Sequence, residues 1–348
     1  MSVVISGMAV VSCLGTDTGD FTAGLPAGRT PGEPAALARV SEQDDEAFAT
    51  SRRVRLRERS SVLAVGTVTK LLAGLDLSAS PPARRGIVLG SAMASIDSYM
   101  IVSKGSLSGA KPYFVDHNRM PPGIMNYTSG QAAVKFDLHG PNVTVTAGRA
   151  SGLTALTCGR RLVAAGRADI MLAGAFEEVT ERRLRIEAAA GRSADGIAAG
   201  EGACVFALET ADSARRADRP VLAELLATTA GYFATEAEAG ATLTRTVERA
   251  LRQAGVTPAE IRTVVRGTPG PGRLAGQEST VLAALAPDAR IVDPASVVGD
   301  TWGASSAFGV AAAVAVPEGG LTLVTSIDPD GQVAACLVRP PAASPGDS

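Results

Sequence analysis

The chain has 348 residues, of which 46% are apolar, and its 33 Lys and Arg against 35 Asp and Glu leave a formal net charge of -2. That is ample apolar material for a buried core, and the near balance of charge excludes a chain built as a whole to bind nucleic acid. Four cysteines, Cys13, Cys158, Cys204 and Cys336, stand far apart without C-x-x-C spacing; they read as reduced, buried thiols, with a cytoplasmic location as the default, no cofactor and no metal site.

Taken in chain order, the opening "MSVVISGMAVVSCLG" alternates like a strand and lacks a basic leader, and no segment reaches the roughly 18 uninterrupted apolar residues of a membrane span. Neither an export signal nor a membrane contact is expected. Strands are expected at Val3 to Ile5, Gly86 to Leu89, Val143 to Ala147, Ile170 to Ala173, Cys204 to Leu208, Val221 to Ala227, Thr263 to Val265, Leu321 to Thr325 and Ala334 to Val338. Helices are expected at Ser60 to Leu75, Ser151 to Ala165 and Ala241 to Ala254, the last capped by Gly255. Short apolar runs alternating with Ala-rich helical stretches are the signature of an α/β fold with buried sheets.

Gly24 to Phe48, acidic and proline-rich, reads as a surface excursion, and "PPAASPGDS" as a frayed tail. The charged stretch "ETADSARRADRP" (Glu209 to Pro220) separates two similar α/β halves, 1–210 and 211–348. Arg52, Arg53, Arg55, Arg57 and Arg59 crowd one short segment; a solvated basic face is the plain reading and an acidic protein partner the sharper one.

The stretch "TVTAGRASGL", Thr144 to Leu153, reads as a strand, a sharp turn and a helix, the mount on which many enzymes carry a nucleophile, yet Arg149 occupies the turn. Four stretches together resemble the ketosynthase family, the condensing enzymes of fatty-acid and polyketide synthesis. They are "VVISGMAVVSCLGT", "LHGPNVTVTAGRASGLTAL", "ADIMLAGAFE" and "DGIAAGEGACVFALE". The resemblance implies a thiolase-like fold, two related halves in a five-layered αβαβα sandwich, working as a dimer.

The family's chemistry needs a cysteine thiolate to carry the acyl group, with two histidines and a supporting lysine. By the same resemblance, Arg149 stands at the cysteine position. Arg266 stands at the first histidine ("RGTPG"), Asp300 at the second, and Ala295 at the lysine ("ASVVGDTWGASSAFG"). The usual glycine-rich C-terminal loop becomes "SIDPDGQ", Ser326 to Gln332. A guanidinium with a pKa above about 12 can neither carry an acyl group nor act as a base near neutrality. Cys158, His117 and His139 lie away from the family's catalytic segments, so no catalytic residue is expected.

Within the family the chain is most similar to the chain length factor, or ketosynthase β subunit, of type II polyketide synthases. That resemblance implies a heterodimer with a catalytic ketosynthase, an acyl carrier protein in the complex, and no nucleic acid or membrane partner. The strand Val143 to Ala147, with Val143 and Val145, is then expected at the dimer two-fold, and Met120, Ile124 and Met125 are candidates for lining an acyl tunnel that sets polyketide length, ordinary core packing being the plain reading for each. Tyr113 to Gln131 would supply the tunnel wall; chain length factors for aromatic polyketides tend to carry bulky aromatics there, whereas this chain has "PPGIM", so the resemblance implies a linear or polyene product. The alternatives are a malonyl-carrier decarboxylase and a free-standing pseudoenzyme that binds acyl chains. Arg149, Arg266 and Asp300 are expected to converge on one pocket, with Asp300 paired to at least one arginine, because buried like charges need compensation.

Overall fold

A computed structural model describes residues 2–27, 37–41, 56, 58–192, 196–316 and 320–341. Its ten strands are β1 (Val3–Val11), β2 (Arg85–Gly90), β3 (Asn142–Val145), β4 (Ile170–Glu177), β5 (Gly202–Thr210), β6 (Ala223–Tyr232), β7 (Ile261–Val265), β8 (Arg290–Val292), β9 (Leu321–Ile327) and β10 (Gln332–Arg339). They lie in the order β3-β2-β4-β5-β1-β6-β10-β9-β7-β8. Numbered within its own half, each set of five has the order 3-2-4-5-1 from its outer edge inward.

The pairing senses repeat as well. β2 is parallel to β3 and β4, and β5 is antiparallel to β4 and β1. In the second set β7 is parallel to β8 and β9, and β10 is antiparallel to β9 and β6. The two sets meet through β1 and β6, in the pairs Val4↔Glu224 and Ile5↔Ala223. The topology therefore displays a duplication that residue identities do not.

The helices are α1 (Thr18–Gly24), α2 (Arg59–Ala73), α3 (Ile96–Ser108), α4 (Tyr127–Phe136), α5 (Ser151–Ala164), α6 (Glu181–Ala189), α7 (Ala211–Arg216), α8 (Ala239–Ala254), α9 (Arg273–Leu285), α10 (Ala295–Val298) and α11 (Ser305–Ala315). Leu153 and Leu156 of α5 pack with Phe308 and Val310 of α11 in a central core. Strands of both sets line that core through Met171, Phe206, Val324 and Cys336. On the outer face of the first set, Val65, Val68 and Leu71 of α2 meet Ile87, Leu89, Leu172 and Val205. On the outer face of the second, Leu243, Val247 and Leu251 of α8 meet Val264, Leu323 and Leu337. Helices thus cover both faces of each sheet, which is why the strands read as nearly unbroken apolar runs. The result is the five-layered α/β arrangement expected of a thiolase-like fold.

Nine strands fall where the sequence places them, most extended by a few residues, and α8 ends at Gly255 in the left-handed conformation, φ +68°. The strand missed is β8, three residues long with Arg290 and Ile291 exposed, too short and too open to show an apolar run. The apolar helix α11 was also unanticipated: burial on most sides removes the polar face that marks a helix in sequence.

Of the clustered arginines, Arg52, Arg53, Arg55 and Arg57 lie outside the described residues. Arg59 does not belong to a solvated face. It pairs at 2.5 Å with the fully buried Glu201, whose carboxylate also accepts from the backbone amides of Val40 at 2.9 Å and Val179 at 3.0 Å.

Candidate functional site

The turn after β3 is built around Gly148, whose φ of +53° favours glycine and whose absent Cβ would overlap the Asp328 carboxylate. Ser151 Oγ donates to the Gly148 carbonyl at 2.7 Å and accepts from the Ala147 amide at 2.9 Å, fixing the bend before α5 begins. Asp328 Oδ2 accepts from the Arg149 amide at 2.8 Å. The mount read from the sequence is therefore present, braced from the opposite half of the chain.

The Arg149 side chain is only 5% exposed. Its Nη2 donates to Asp300 Oδ2, and its guanidinium lies 4.3 Å from the Trp302 ring centroid. Asp300 Oδ1 accepts from the Trp302 amide at 3.0 Å, and the Asp300 carbonyl accepts from Arg183 Nη2 at 2.9 Å. Burial alone would raise the Asp300 carboxyl, but Arg149 beside it outweighs that and holds it below its ordinary value. Likewise, burial works against the Arg149 charge and Asp300 more than restores it. The expected ion pair has formed, and both members stay charged.

A second set of contacts closes over the first. Arg192 pairs with Asp330 and lies 5.9 Å from the Trp302 ring centroid. Asp330 donates its amide to Asp328 Oδ1 at 2.9 Å, which returns to the carboxylate under Arg149. Ser326 to Gln332, the altered C-terminal loop, thus supplies the brace of the turn.

Arg266 is held by a different carboxylate. It leaves β7 with its amide bonded to the Val292 carbonyl at 2.9 Å, and its Nη2 binds Asp293 rather than Asp300. Asp293 Oδ1 also accepts from the amide of Ala295, at the start of α10, at 3.1 Å. Sequence reasoning missed Asp293. Its signal was a carboxylate close behind a strand too short to notice. The adjoining loop is held by fully buried Glu278, which accepts from Thr325 Oγ1 at 2.6 Å and the Thr268 amide at 3.0 Å.

Neither arginine offers a nucleophile, and both carboxylates are engaged. The cysteines do not substitute for one: burial pushes the Cys336 thiol up to about 12 and raises Cys204 and Cys158. His117 and His139 are exposed. Among the described residues no group of three or more His, Cys, Asp or Glu side chains is placed to hold a metal ion, and no helix is long and apolar enough to cross a membrane.

The remaining candidates are exposed or half-buried. Met120 is 54% exposed, Ile124 57% and Met125 37%, so none is core. Val143 and Val145, on β3, pack partly against the central core. β3 is the outer strand of its set, and beside it runs a groove of about 510 Å³ that brings Met125, Val143 and Val145 together with Asn126, Gly130 and Thr144. Met120 and Ile124 do not line it. Tyr99, Met100, Leu107, Tyr113 and Phe114, which the sequence reading passed over, are exposed as well.

Comparison with known proteins agrees with this geometry. Residues 27–214 match the family described as beta-ketoacyl synthase, N-terminal domain. A putative polyketide beta-ketoacyl synthase 1 of Streptomyces virginiae is 29% identical over 300 residues, 74% of this chain and 70% of that protein. The solved structure of the ishigamide ketosynthase/chain length factor superposes with a TM-score of 0.88 at 32% identity, covering 98% of this chain and 100% of that one. A beta-ketoacyl synthase from Burkholderia phymatum shares the fold, with a TM-score of 0.86 at 20% identity over 98% of this chain and 100% of its own. The chain belongs to the beta-ketoacyl synthase family, alongside the ketosynthases and chain length factors of type II polyketide synthases.

Proposed function

We propose that this chain is a non-catalytic chain length factor that pairs with a cysteine-bearing ketosynthase, in a complex served by an acyl carrier protein, and shapes the tunnel that limits the growing polyketide. The observation that carries this reading is the Arg149–Asp300 ion pair, buried at the turn where a condensing enzyme holds its thiolate. Acyl transfer needs a nucleophile, and a guanidinium locked to a carboxylate supplies none.

The outer edge of the sheet supports the pairing. An outer strand with a free edge beside a groove that Met125, Val143 and Val145 line is a surface that a partner covers, because a free strand edge is a ready template for pairing. In this reading Val143 and Val145 lie at the interface, while Met120, Ile124 and Met125 contribute to the tunnel wall. The two halves divide at residues 210 and 211. The "PPGIM" run suits a linear or polyene product.

The test is co-expression with a ketosynthase encoded beside this chain, only the partner carrying an affinity tag. The expected result is co-purification at one-to-one stoichiometry. Failure to associate, with this chain monodisperse on its own, contradicts the reading.

A further inference from the structure

The proposed function rests in part on a segment with little of its own to hold it. Of residues 111–126, twelve of sixteen are exposed. Its backbone hydrogen bonds are local turns: Phe114 to Lys111, Arg119 to Asp116, Gly123 to Arg119 and Ile124 to Pro121. Lys111 lies over the rings of Tyr113 and Phe114, also within the segment. It meets α3 at Gly123, against the Tyr99 backbone, and at Val115, near Gly105.

At its C-terminal end the segment runs into α4, where the Ile124 and Asn126 carbonyls accept from Tyr127, Ser129 and Gly130; among the described residues, one side chain of the segment makes an ion pair with the body of the protein. Arg119 Nη1 reaches Glu58 Oε1 at 2.8 Å. Glu58 is 5% exposed and sits at the N-terminus of α2, where its second oxygen accepts from Ser95 Oγ at 2.9 Å. The acceptor is thus fixed from α2 and from the start of α3. A carboxylate at a helix N-terminus is also in a favourable place for its charge.

We infer that Arg119 is a positioning residue: its ion pair with Glu58 pins the 111–126 segment in the shape that the partner subunit and the acyl chain meet. Twelve of the segment's sixteen residues are exposed and Pro122 alone is buried, so packing sets little of its course. A bond from a half-exposed guanidinium to a buried, doubly held carboxylate can do so, since the carboxylate has no freedom to follow a moving partner. Preorganising the segment lowers the ordering cost of assembly and keeps the tunnel wall at one depth. The role in chain length rests on the function proposed above; the pin itself does not.

The experiment has two arms. In the first, amide hydrogen exchange is followed in this chain as wild type, Arg119→Ala and Arg119→Lys. Arg119→Ala is expected to speed exchange across 111–126 about tenfold while α8, on the far side of the molecule, is unchanged, and Arg119→Lys is expected to restore most of the protection. Unchanged exchange in 111–126, or an equal rise in α8, overturns the pin.

In the second arm, the complex reconstituted with the ketosynthase makes product. Arg119→Ala is expected to broaden the distribution of chain lengths, with Arg119→Lys close to wild type. A distribution as narrow as wild type, from a complex whose segment exchanges faster, overturns the link to chain length. Failure of the wild-type chain to associate overturns the proposed function and leaves the pin to be judged by exchange.

Discussion

At the scale of single residues, the Arg149–Asp300 pair holds two charges out of water that are stable only together. Removing one leaves the other buried and uncompensated, at a cost of about 3–5 kcal/mol, whereas an apolar pair of similar volume can be neutral. Asp300→Ala is therefore expected to lower stability by about that amount, while Arg149→Met with Asp300→Leu recovers most of the loss; chemical denaturation of the three proteins checks it. Equal losses in Asp300→Ala and the double variant would show that the pair is not the source of the effect. The ion pair was legible in the sequence, because the resemblance sets the two residues at positions that meet in one site. Asp328 as the brace of the turn was not, since a contact across 179 residues of chain leaves no local pattern.

Two adjacent carboxyls at the end of β4 give the protein a proton linkage. Burial lifts Glu177 to about 7 and Glu178 to about 8. In the unfolded chain both titrate near the ordinary 4.5, so between that value and about 8 the folded state holds more protons. The contribution is fully present below the unfolded pKa and is lost as pH rises through 7 and 8. Thermal unfolding between pH 6 and pH 9 is thus expected to show a falling midpoint. Glu178→Gln, which cannot ionise, is expected to remove roughly half of that fall. An unchanged slope in Glu178→Gln would place the linkage elsewhere.

At the scale of elements, β3 is the decisive strand. Ser91 donates to the Val145 carbonyl and Ile87 to the Pro141 carbonyl, so by alternation Asn142 and Thr144 turn their backbone groups to the free edge. Thr144→Pro removes an outward N–H without breaking the ladder to β2 and is expected to abolish co-purification with the ketosynthase. Thr144→Val, which loses only the hydroxyl contact with Ser129, is the control. Association of the proline variant at wild-type strength would show that the edge is not the interface. The strand itself was readable from its apolar pattern. The groove beside it was not, because the packing of α4 beside β3 is a tertiary fact.

At the scale of the whole molecule, two copies of one strand order enclose a central helical layer, and the turns leading into α5 and α11 meet where Arg149 lies over Trp302. The architecture that brings two loops together for acyl transfer in a condensing enzyme here brings together a sealed stack of charges and an indole. The fold was visible in the sequence because motif spacing survives. Two related halves were implied by the resemblance, but their shared strand order could not be read from residue identities, because topology can be retained after identity has drifted.

The most direct measurement is intact-mass analysis of the complex with its ketosynthase after incubation with acyl-loaded and malonyl-loaded carrier protein, followed by analysis of the product. The account predicts an acyl adduct on the ketosynthase alone, none on this chain, and loss of the full-length polyketide when this chain is omitted. An acyl adduct on this chain, or the same product from the ketosynthase by itself, would contradict it.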